Sequence, residues 1–144
     1  MKTITTILFS LILVTANALA EDKPFKVYGE NKVYYSAFNS SFVAPDIASL
    51  YDISRGKDKG LVNIAVVPDG SESGKTALIS GTAMDILARQ QSLEFTEIRE
   101  GDAVYYLAPF EFENEDPLTF NINVRPGGAS STHSFSFQRT FYHD

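Results

Sequence analysis

Carboxylates are the most numerous side chains in this sequence that can take part in chemistry, and they fall into groups. The chain of 144 residues has 18 Asp and Glu, two His and no Cys. The densest group is Glu111, Glu113, Glu115 and Asp116. Such groups can chelate Ca²⁺, which takes about six to eight oxygen ligands. Because the Asp-x-Asp-x-Asp-Gly spacing of calcium loops is missing, we predict a solvated hairpin end and no metal site, with calcium binding by residues 111–116 as the alternative.

A second group of carboxylates suggests paired acid–base chemistry. It consists of Glu94, Glu97, Glu100 and Asp102. Glu94 and Glu97 are three positions apart, an odd number, so a regular strand directs them to opposite faces. We therefore predict no catalytic pair here. A hydrolase that uses these carboxylates is the alternative to a non-enzymatic protein.

The two histidines, His133 and His143, do not complete a nucleophilic site in the sequence. A serine hydrolase needs a His beside both a Ser and an Asp, with the Ser on a strained turn. No Gly-x-Ser-x-Gly string occurs in the chain. We predict no catalytic residue, which favours a protein that is not an enzyme.

The string DGSESGKT, residues 69–76, is similar to a phosphate-binding loop because it follows an apolar run and ends in Gly-Lys-Thr. A phosphate-binding loop has the pattern Gly-x-x-x-x-Gly-Lys, in which successive backbone N–H groups surround the phosphates. Gly70 and Gly74 enclose only three residues. The string therefore predicts a polar hairpin loop, with no bound nucleotide or other cofactor.

Positive charge is concentrated in one connection, DISRGKDKG at residues 52–60. Arg55, Lys57 and Lys59 lie there within five residues, and Phe42 and Tyr51 precede them. The sharper hypothesis for these five residues is an exposed surface that contacts an envelope protein or an anionic envelope component. Clustered exposed charges raise encounter rates and make binding sensitive to salt. The alternative is a connection whose charges are only solvated.

The elements that must position these side chains are predicted to be mostly β-strands. In LTFNINV, residues 118–124, apolar residues alternate with polar ones, and HSFSFQRTFY and VYYLAPFEF show the same period of two. This alternation is typical of half-buried antiparallel strands. Turn signals separate about eight strands, near 25–29, 32–38, 61–67, 76–83, 92–99, 103–112, 117–125 and 132–142. The pattern predicts an all-β sandwich of immunoglobulin type, with a small β-barrel as the alternative.

One short helix is predicted over residues 45–52. Its first residue is a proline, which suits the first position of a helix. Ile47, Leu50 and Tyr51 fall on one face of this helix. We expect the chain after Phe38 to leave one sheet and cross to the other, with these apolar side chains covering a sheet end.

The first twenty residues have the pattern of a secretory signal peptide. Lys2 is followed by an apolar run over residues 7–14 and by a small-x-small cleavage site that ends at Ala20. We predict that residues 1–20 are removed and that residues 21–144 form a single domain in the periplasm. No later stretch is long and apolar enough to span a bilayer. Without Cys, the exported domain must be stable without disulfides.

The charge balance excludes one broad class of partner. Residues 21–144 carry 11 basic and 18 acidic residues, a net charge of −7 (11 − 18). Residues 21–60 hold six of each sign, whereas residues 61–144 hold five basic and twelve acidic residues. An acidic domain is a poor binder of nucleic acid, so we expect no nucleic-acid partner.

Two resemblances to known proteins add to this description. EGDAVYYLA, residues 100–108, resembles the tyrosine-corner segment of antibody domains, which favours the sandwich. VYYSAFNSSFVAP, LVNIAV, LEFTEIREGDAVYYLA and FSFQRTFY, in this order, resemble the proteobacterial exported family catalogued as domain of unknown function 4426. That resemblance covers residues 21–144 and implies export. Because the family's activity is unassigned, it implies no catalytic or binding residue.

Together these patterns favour an exported module that binds a protein, an envelope component or a small ligand through a loop surface. The residues assigned to that surface are Phe42, Tyr51, Arg55, Lys57 and Lys59.

Overall fold

Two antiparallel β-sheets account for most of the computed structural model, which describes residues 25–144. One sheet has five strands in the order β1 (Phe25–Tyr28), β2 (Asn31–Asn39), β3 (Lys59–Pro68), β7 (Ala103–Glu111) and β6 (Thr96–Glu100). The other has four strands in the order β5 (Gln90–Leu93), β4 (Ala77–Met84), β8 (Asp116–Pro126) and β9 (His133–Phe141). The predicted sandwich is confirmed, and residues 25–144 do not close into the alternative barrel. The predicted signal peptide lies outside the described residues.

The core lies between the inner faces of the two sheets. From β3, Val62, Ile64 and Val66 are fully buried. From β8, Phe120 meets Phe110 of β7 edge to face, with ring centroids 5.0 Å apart. Successive residues of a strand point to opposite faces, so the alternation seen in the sequence is what brings these side chains together.

The predicted strand 92–99 is two strands in different sheets, which corrects the sequence analysis. β5 ends at Leu93 and pairs with β4, whereas β6 begins at Thr96 and pairs with β7. Leu93 is buried in the core between the sheets, and Ile98 is buried on the outer face of the five-stranded sheet. Because Leu93 and Ile98 are five positions apart, an odd number, a single regular strand cannot bury both on one face. The described residues therefore contain nine strands.

Two loops that were predicted as hairpin ends instead carry the chain between the sheets. Residues 69–76 connect β3 to β4, and residues 112–115 connect β7 to β8. The hairpin prediction was wrong because turn residues mark a reversal of the chain and do not specify which strand the next one pairs with.

The connection between β2 and β3, residues 40–58, returns to the same sheet. β2 and β3 are adjacent and antiparallel, with Asn39 opposite Gly60. The expected crossing to the other sheet is therefore wrong. The connection folds over the outer face of the five-stranded sheet, where Leu61 is left only 2% exposed. We call residues 40–58 the crossover segment because they pass over the outer face of their own sheet.

The crossover segment contains a 3-10 turn (Ser40–Phe42) and one helix, α1 (Pro45–Leu50). Pro45 is the first helical residue, as predicted. Ala48 is the buried residue of α1, whereas Leu50 is 71% exposed. The expectation that Leu50 covers a sheet end is therefore wrong. Across residues 25–144 no helix has the length and hydrophobicity to cross a membrane.

Candidate functional site

A cleft lies between the crossover segment and the outer face of the five-stranded sheet. It consists of two adjoining depressions of about 240 Å³ each. Both depressions are lined by Tyr51 and Ile53 from the crossover segment and by Ile98 and Leu107 from the sheet. We call this feature the crossover cleft. Its shared wall is apolar, which is the usual character of a small binding site.

The floor of the crossover cleft is formed by directly opposed residues of three strands. Leu107 of β7 lies opposite Asn63 of β3 on one side and opposite Thr96 of β6 on the other. One step along the sheet, Ile98 lies opposite Tyr105. Directly opposed residues of antiparallel strands point to the same face. The register of β3, β7 and β6 therefore brings residues far apart in sequence into one surface.

The roof of the crossover cleft is positioned by the way α1 ends. The N–H of Ile53 donates to the carbonyl of Ala48 at 2.7 Å, and the N–H of Asp52 donates to the carbonyl of Ser49 at 3.4 Å. Asp52 has a φ of 56°, the left-handed conformation that closes a Schellman motif and that Gly usually adopts. This sharp end directs Tyr51 and Ile53 into the cleft.

The charges around the crossover cleft have one sign. Asp52, Glu94 and Glu100 line it, and no Lys or Arg does. None of these three carboxylates forms an ion pair with any residue in the described part of the chain. Carboxylates grouped beside an apolar wall create a negative potential that attracts cations.

A polar atom without a partner lies beside the floor. The Oδ1 of Asn63 is buried and accepts no hydrogen bond from any residue in the range 25–144. A buried acceptor left without a donor costs about 1–3 kcal/mol. Asn63 also lines the crossover cleft, so the floor of the cleft contains a polar side chain whose acceptor the fold does not use.

Two of the predicted partner-binding residues, Arg55 and Lys57, line an exposed depression that also contains an acidic residue, Asp144. Arg55 and Lys57 line a hollow of about 250 Å³ together with Ser41, Gly56 and Asp144. Both basic side chains are exposed, and Nη2 of Arg55 donates to the carbonyl of Ser41 at 3.3 Å. Their exposure agrees with the sequence analysis, and their contact with a partner stays a prediction.

The other three predicted residues are not brought together. Phe42 is 72% exposed next to Ser41, and Tyr51 stands between the two depressions of the crossover cleft. Lys59 lies opposite Glu111 in the sheet and pairs with it, with Nζ and Oε1 3.2 Å apart. Lys59 is therefore part of the surface of the sheet and not of the free basic loop.

The carboxylates of residues 111–116 are directed to separate partners. Glu111 pairs with Lys59, and Glu113 lies 3.8 Å from Arg89. Oδ2 of Asp116 accepts from the N–H of Glu113 at 2.9 Å, which closes the turn. Within residues 25–144 no group of three or more His, Cys, Asp or Glu is placed to hold a metal ion.

The second acidic group is also divided. Glu94 lines the crossover cleft, whereas Glu97 accepts a hydrogen bond of 2.7 Å from the Tyr106 hydroxyl and one of 2.9 Å from Arg99. Hydrogen bonds from Tyr106 and then Arg99 lower the pKa of Glu97. Burial is the main reason that the pKa of Tyr106 is raised. Glu94 and Glu97 therefore do not face one another as an acid–base pair.

The histidines lie far apart, with His133 at the start of β9 and His143 two residues beyond its end. His133 stacks on Tyr28 with ring centroids 4.2 Å apart. His143 lies near Phe112, with centroids 5.8 Å apart, and its buried Nε2 has no partner among the described residues. Neither position assembles the Ser-His-Asp geometry of a hydrolase.

The string similar to a phosphate-binding loop uses its backbone groups internally. The N–H of Gly74 donates to Asp102, and the N–H of Lys75 donates to Val66, both at 2.8 Å. A strand, β4, follows the loop where a phosphate-binding loop opens a helix. These N–H groups are therefore not free to surround a phosphate.

Of the residues that line the crossover cleft, the sequence identifies Tyr51 as a candidate binding residue and Glu94 and Glu100 only as candidate catalytic carboxylates; it does not identify the others as candidates. Two signals were present. Asn63 is a polar residue inside the otherwise apolar LVNIAVV, and Ile98 breaks the phase of alternation that Leu93 sets. Each signal shows that a residue departs from the core pattern, and neither shows that the two meet on one face.

The comparisons with known proteins show a family and a fold. A family model, domain of unknown function (DUF4426), matches residues 25–144. A DUF4426 family protein from Pseudomonas aeruginosa, known from a crystal structure, is 31% identical with a TM-score of 0.76. That match covers 86% of this chain and 98% of the Pseudomonas chain. No curated protein matches the chain.

A more distant likeness is to FetP of a uropathogenic Escherichia coli strain. FetP is 11% identical with a TM-score of 0.57, over 83% of this chain and 93% of its own. A copper-bound variant of FetP is 10% identical with a TM-score of 0.59, over 83% and 95%. At this identity the likeness shows a shared fold alone.

Proposed function

The chain belongs to the DUF4426 family, a family of unknown function, and on that premise we propose that it is an exported, non-enzymatic binding module. Its recognition surface is the crossover cleft together with the exposed basic residues of the crossover segment, Arg55 and Lys57. Its partner is an envelope protein or an anionic envelope component. The predicted signal peptide, residues 1–20, supports a periplasmic location.

The crossover cleft carries this proposal. The crossover segment keeps Phe42 72%, Ile47 43% and Leu50 71% exposed, and Ile47 lines one depression of the cleft. Large apolar side chains grouped on a surface beside an unfilled depression are typical of interaction sites. The fold of the protein itself does not require these side chains to be apolar.

The use of the ionisable groups supports binding rather than hydrolysis. Glu97 is held by Tyr106 and Arg99, and Asp85 accepts hydrogen bonds from Arg89 and from the N–H of Leu87. These carboxylates have structural partners, so nothing in the described residues singles them out as an acid and a base for a substrate.

The strand order supports an immunoglobulin-type topology, which we infer as part of the same proposal. The pairs β3–β7 and β4–β8 link strands in the way that the B–E and C–F pairs do in immunoglobulin domains. β6 and β5 then stand at the D and C′ positions, and β9 at the G position. Such sandwiches bind many different partners, so the topology agrees with a binding role without selecting the partner.

Site-specific photo-crosslinking in the periplasm tests the proposed function. A photoreactive residue replaces Phe42 or Leu50 on the crossover segment, and Leu78 is the matched control. Leu78 is also apolar and is 62% exposed, but it lies on the four-stranded sheet. We expect a discrete crosslinked partner from positions 42 and 50 and none from position 78.

The basic residues provide the second arm of that experiment. An Arg55→Ser/Lys57→Ser variant is expected to lower crosslinking from position 42, and added salt is expected to do the same, because clustered charges assist association. Lys59 is left unchanged because it pairs with Glu111. Equal crosslinking from position 78, or crosslinking that Arg55 and Lys57 do not influence at any salt concentration, would contradict the proposed surface.

A further inference from the structure

The free edge of the five-stranded sheet runs along the crossover cleft. β6 is the last strand of that sheet and pairs with β7 alone. Alternate residues of an antiparallel strand direct their N–H and C=O groups to opposite sides, so about half of the β6 backbone groups point away from β7. Such an edge can accept a further strand.

The side chains of β6 make this edge part of the cleft. Thr96, Ile98 and Glu100 line the cleft and alternate along β6, whereas Glu97 and Arg99 point to the other face and pair with one another. A strand added to β6 would direct every second side chain to the cleft face. Small or apolar side chains at those positions can enter the two depressions beside Tyr51.

The charges of the edge specify the chemistry of the added strand. Asp52, Glu94 and Glu100 line the cleft without a basic neighbour in its lining. Elsewhere in the described residues, Asp69, Asp85, Glu97, Glu111 and Glu113 all have a Lys or Arg within ion-pair distance. The carboxylates of the cleft have no such partner among residues 25–144, so the cleft presents negative charge with which a basic side chain can pair.

We propose that the crossover cleft binds an extended segment of a partner protein that pairs with the free edge of β6 and whose every second residue, the set facing the cleft, includes both apolar and basic side chains. This inference rests on the proposed function and specifies the class of ligand. Backbone hydrogen bonds to β6 hold the segment, its apolar side chains enter the depressions, and its Lys or Arg side chains approach Glu94 and Glu100. This is the strand-addition mode of peptide recognition.

A titration of the purified, isotope-labelled protein followed by NMR tests the proposal. The probes are three blocked hexapeptides: Thr-Lys-Thr-Val-Thr-Lys (the Val/Lys peptide), the same sequence with Glu in place of Lys (the Val/Glu peptide), and the Val/Lys peptide N-methylated at alternate residues. We expect the first peptide to shift the amide signals of β6 and the methyl signals of Ile98 and Leu107. We expect no saturable shift with the second peptide, because its Glu side chains have the same charge as the carboxylates of the cleft. We expect none with the third, because N-methylation blocks its backbone pairing with β6.

Matched variants test the role of the carboxylates. Glu94→Gln/Glu100→Gln is expected to weaken binding of the Val/Lys peptide roughly tenfold, as the loss of two exposed ion pairs implies. Glu72→Gln/Glu115→Gln removes two exposed carboxylates that do not line the cleft and is expected to leave binding unchanged. Because all four residues are exposed, none of these variants should impair folding.

Several outcomes would overturn the proposal. Two of them are binding of the Val/Glu peptide, or of the N-methylated peptide, as tight as binding of the Val/Lys peptide. The other two are shifts that map away from β6 and the absence of a shift with any peptide. In the last case the carboxylates serve only to keep the edge from pairing with other strands. If crosslinking from positions 42 and 50 persists in any of these cases, the binding module stands and only the class of ligand is wrong.

Discussion

At the scale of single residues, Asn63 has the clearest conflict between stability and position. Its Oδ1 is buried without a donor at the centre of an otherwise apolar strand. An apolar residue of similar size would suit β3 better, because it removes an acceptor that the fold does not use. A residue that is unfavourable for the free protein is what a binding site is expected to contain.

We therefore expect Asn63→Val to stabilise the free protein by about 1 kcal/mol, since it removes a buried unpaired acceptor and favours a strand. Urea unfolding measures the change. Ser36→Val, at the neighbouring position of β2, is the control for β-propensity. Destabilisation of Asn63→Val relative to the unmodified protein would show that Oδ1 has a partner in solution.

A second prediction concerns Tyr106, whose hydroxyl connects the two sheets. It accepts from the N–H of Ala77 on β4 at 2.9 Å and donates to Glu97 at 2.7 Å. We expect Tyr106→Phe to lower the free energy of unfolding by about 1–2 kcal/mol, because the Ala77 N–H and the carboxylate lose a partner. Tyr105→Phe, on the outer face of the same strand, is the control and should change stability little. Equal effects of the two substitutions would contradict the role of the hydroxyl.

The pKa of Glu97 gives a pH dependence whose sign is defined. The Tyr106 and Arg99 hydrogen bonds hold this pKa below its ordinary value. A carboxyl group with a lower pKa in the folded state stabilises the protein above its unfolded pKa, about 4.3 for Glu. That contribution is lost as the pH falls through the folded pKa. We expect the free energy of unfolding to decline with acidification below about pH 4.3, and less steeply in Glu97→Gln. Parallel pH profiles of the two proteins would contradict this.

At the scale of elements, the end of α1 determines the shape of the crossover cleft. Asp52 occupies the left-handed position of the Schellman motif, where Gly has no Cβ penalty. The carboxylate of Asp52 also lines the cleft. A non-glycine residue is therefore retained at a position that favours glycine, which agrees with a role in recognition.

We expect Asp52→Gly to stabilise the fold by up to about 1 kcal/mol, because it relieves the left-handed conformation. Asp46→Gly is the control at the other end of α1. We expect it to lower the stability of the protein, because Asp46 lies in the first turn of α1, where a negative charge is favourable. Thermal unfolding of the two variants provides the comparison. Loss of stability in Asp52→Gly would mean that the carboxylate makes a stabilising contact.

The elements could be predicted from the sequence wherever a local pattern determines them. The period of two in LTFNINV defines β8, and Pro45 defines the start of α1. The passage from β5 to β6 and the fold of the crossover segment over its own sheet depend on which strands become neighbours. Neither the turn residues after Phe38 nor those after Pro68 carry that information, because pairing is determined by contacts between distant parts of the chain.

At the scale of the whole molecule, the candidate site is a product of topology. The crossover cleft draws on the crossover segment, β3, β6 and β7, so its parts extend from Val43 to Pro109 in the sequence. Only the exposed basic residues Arg55 and Lys57 could be recognised locally as an unusual surface. The acidic excess of residues 61–144 could be counted, but which of its carboxylates form ion pairs and which line the cleft needed the fold.

The claim that the crossover cleft is the recognition surface can be tested by hydrogen–deuterium exchange. The exchange is measured on the protein alone and on the protein with the partner captured by crosslinking. We expect new protection of amides in residues 40–54 and 96–100 when the partner is bound, with β8 and β9 unchanged. Protection confined to the four-stranded sheet or to residues 126–132, with the crossover cleft exchanging as in the free protein, would contradict it.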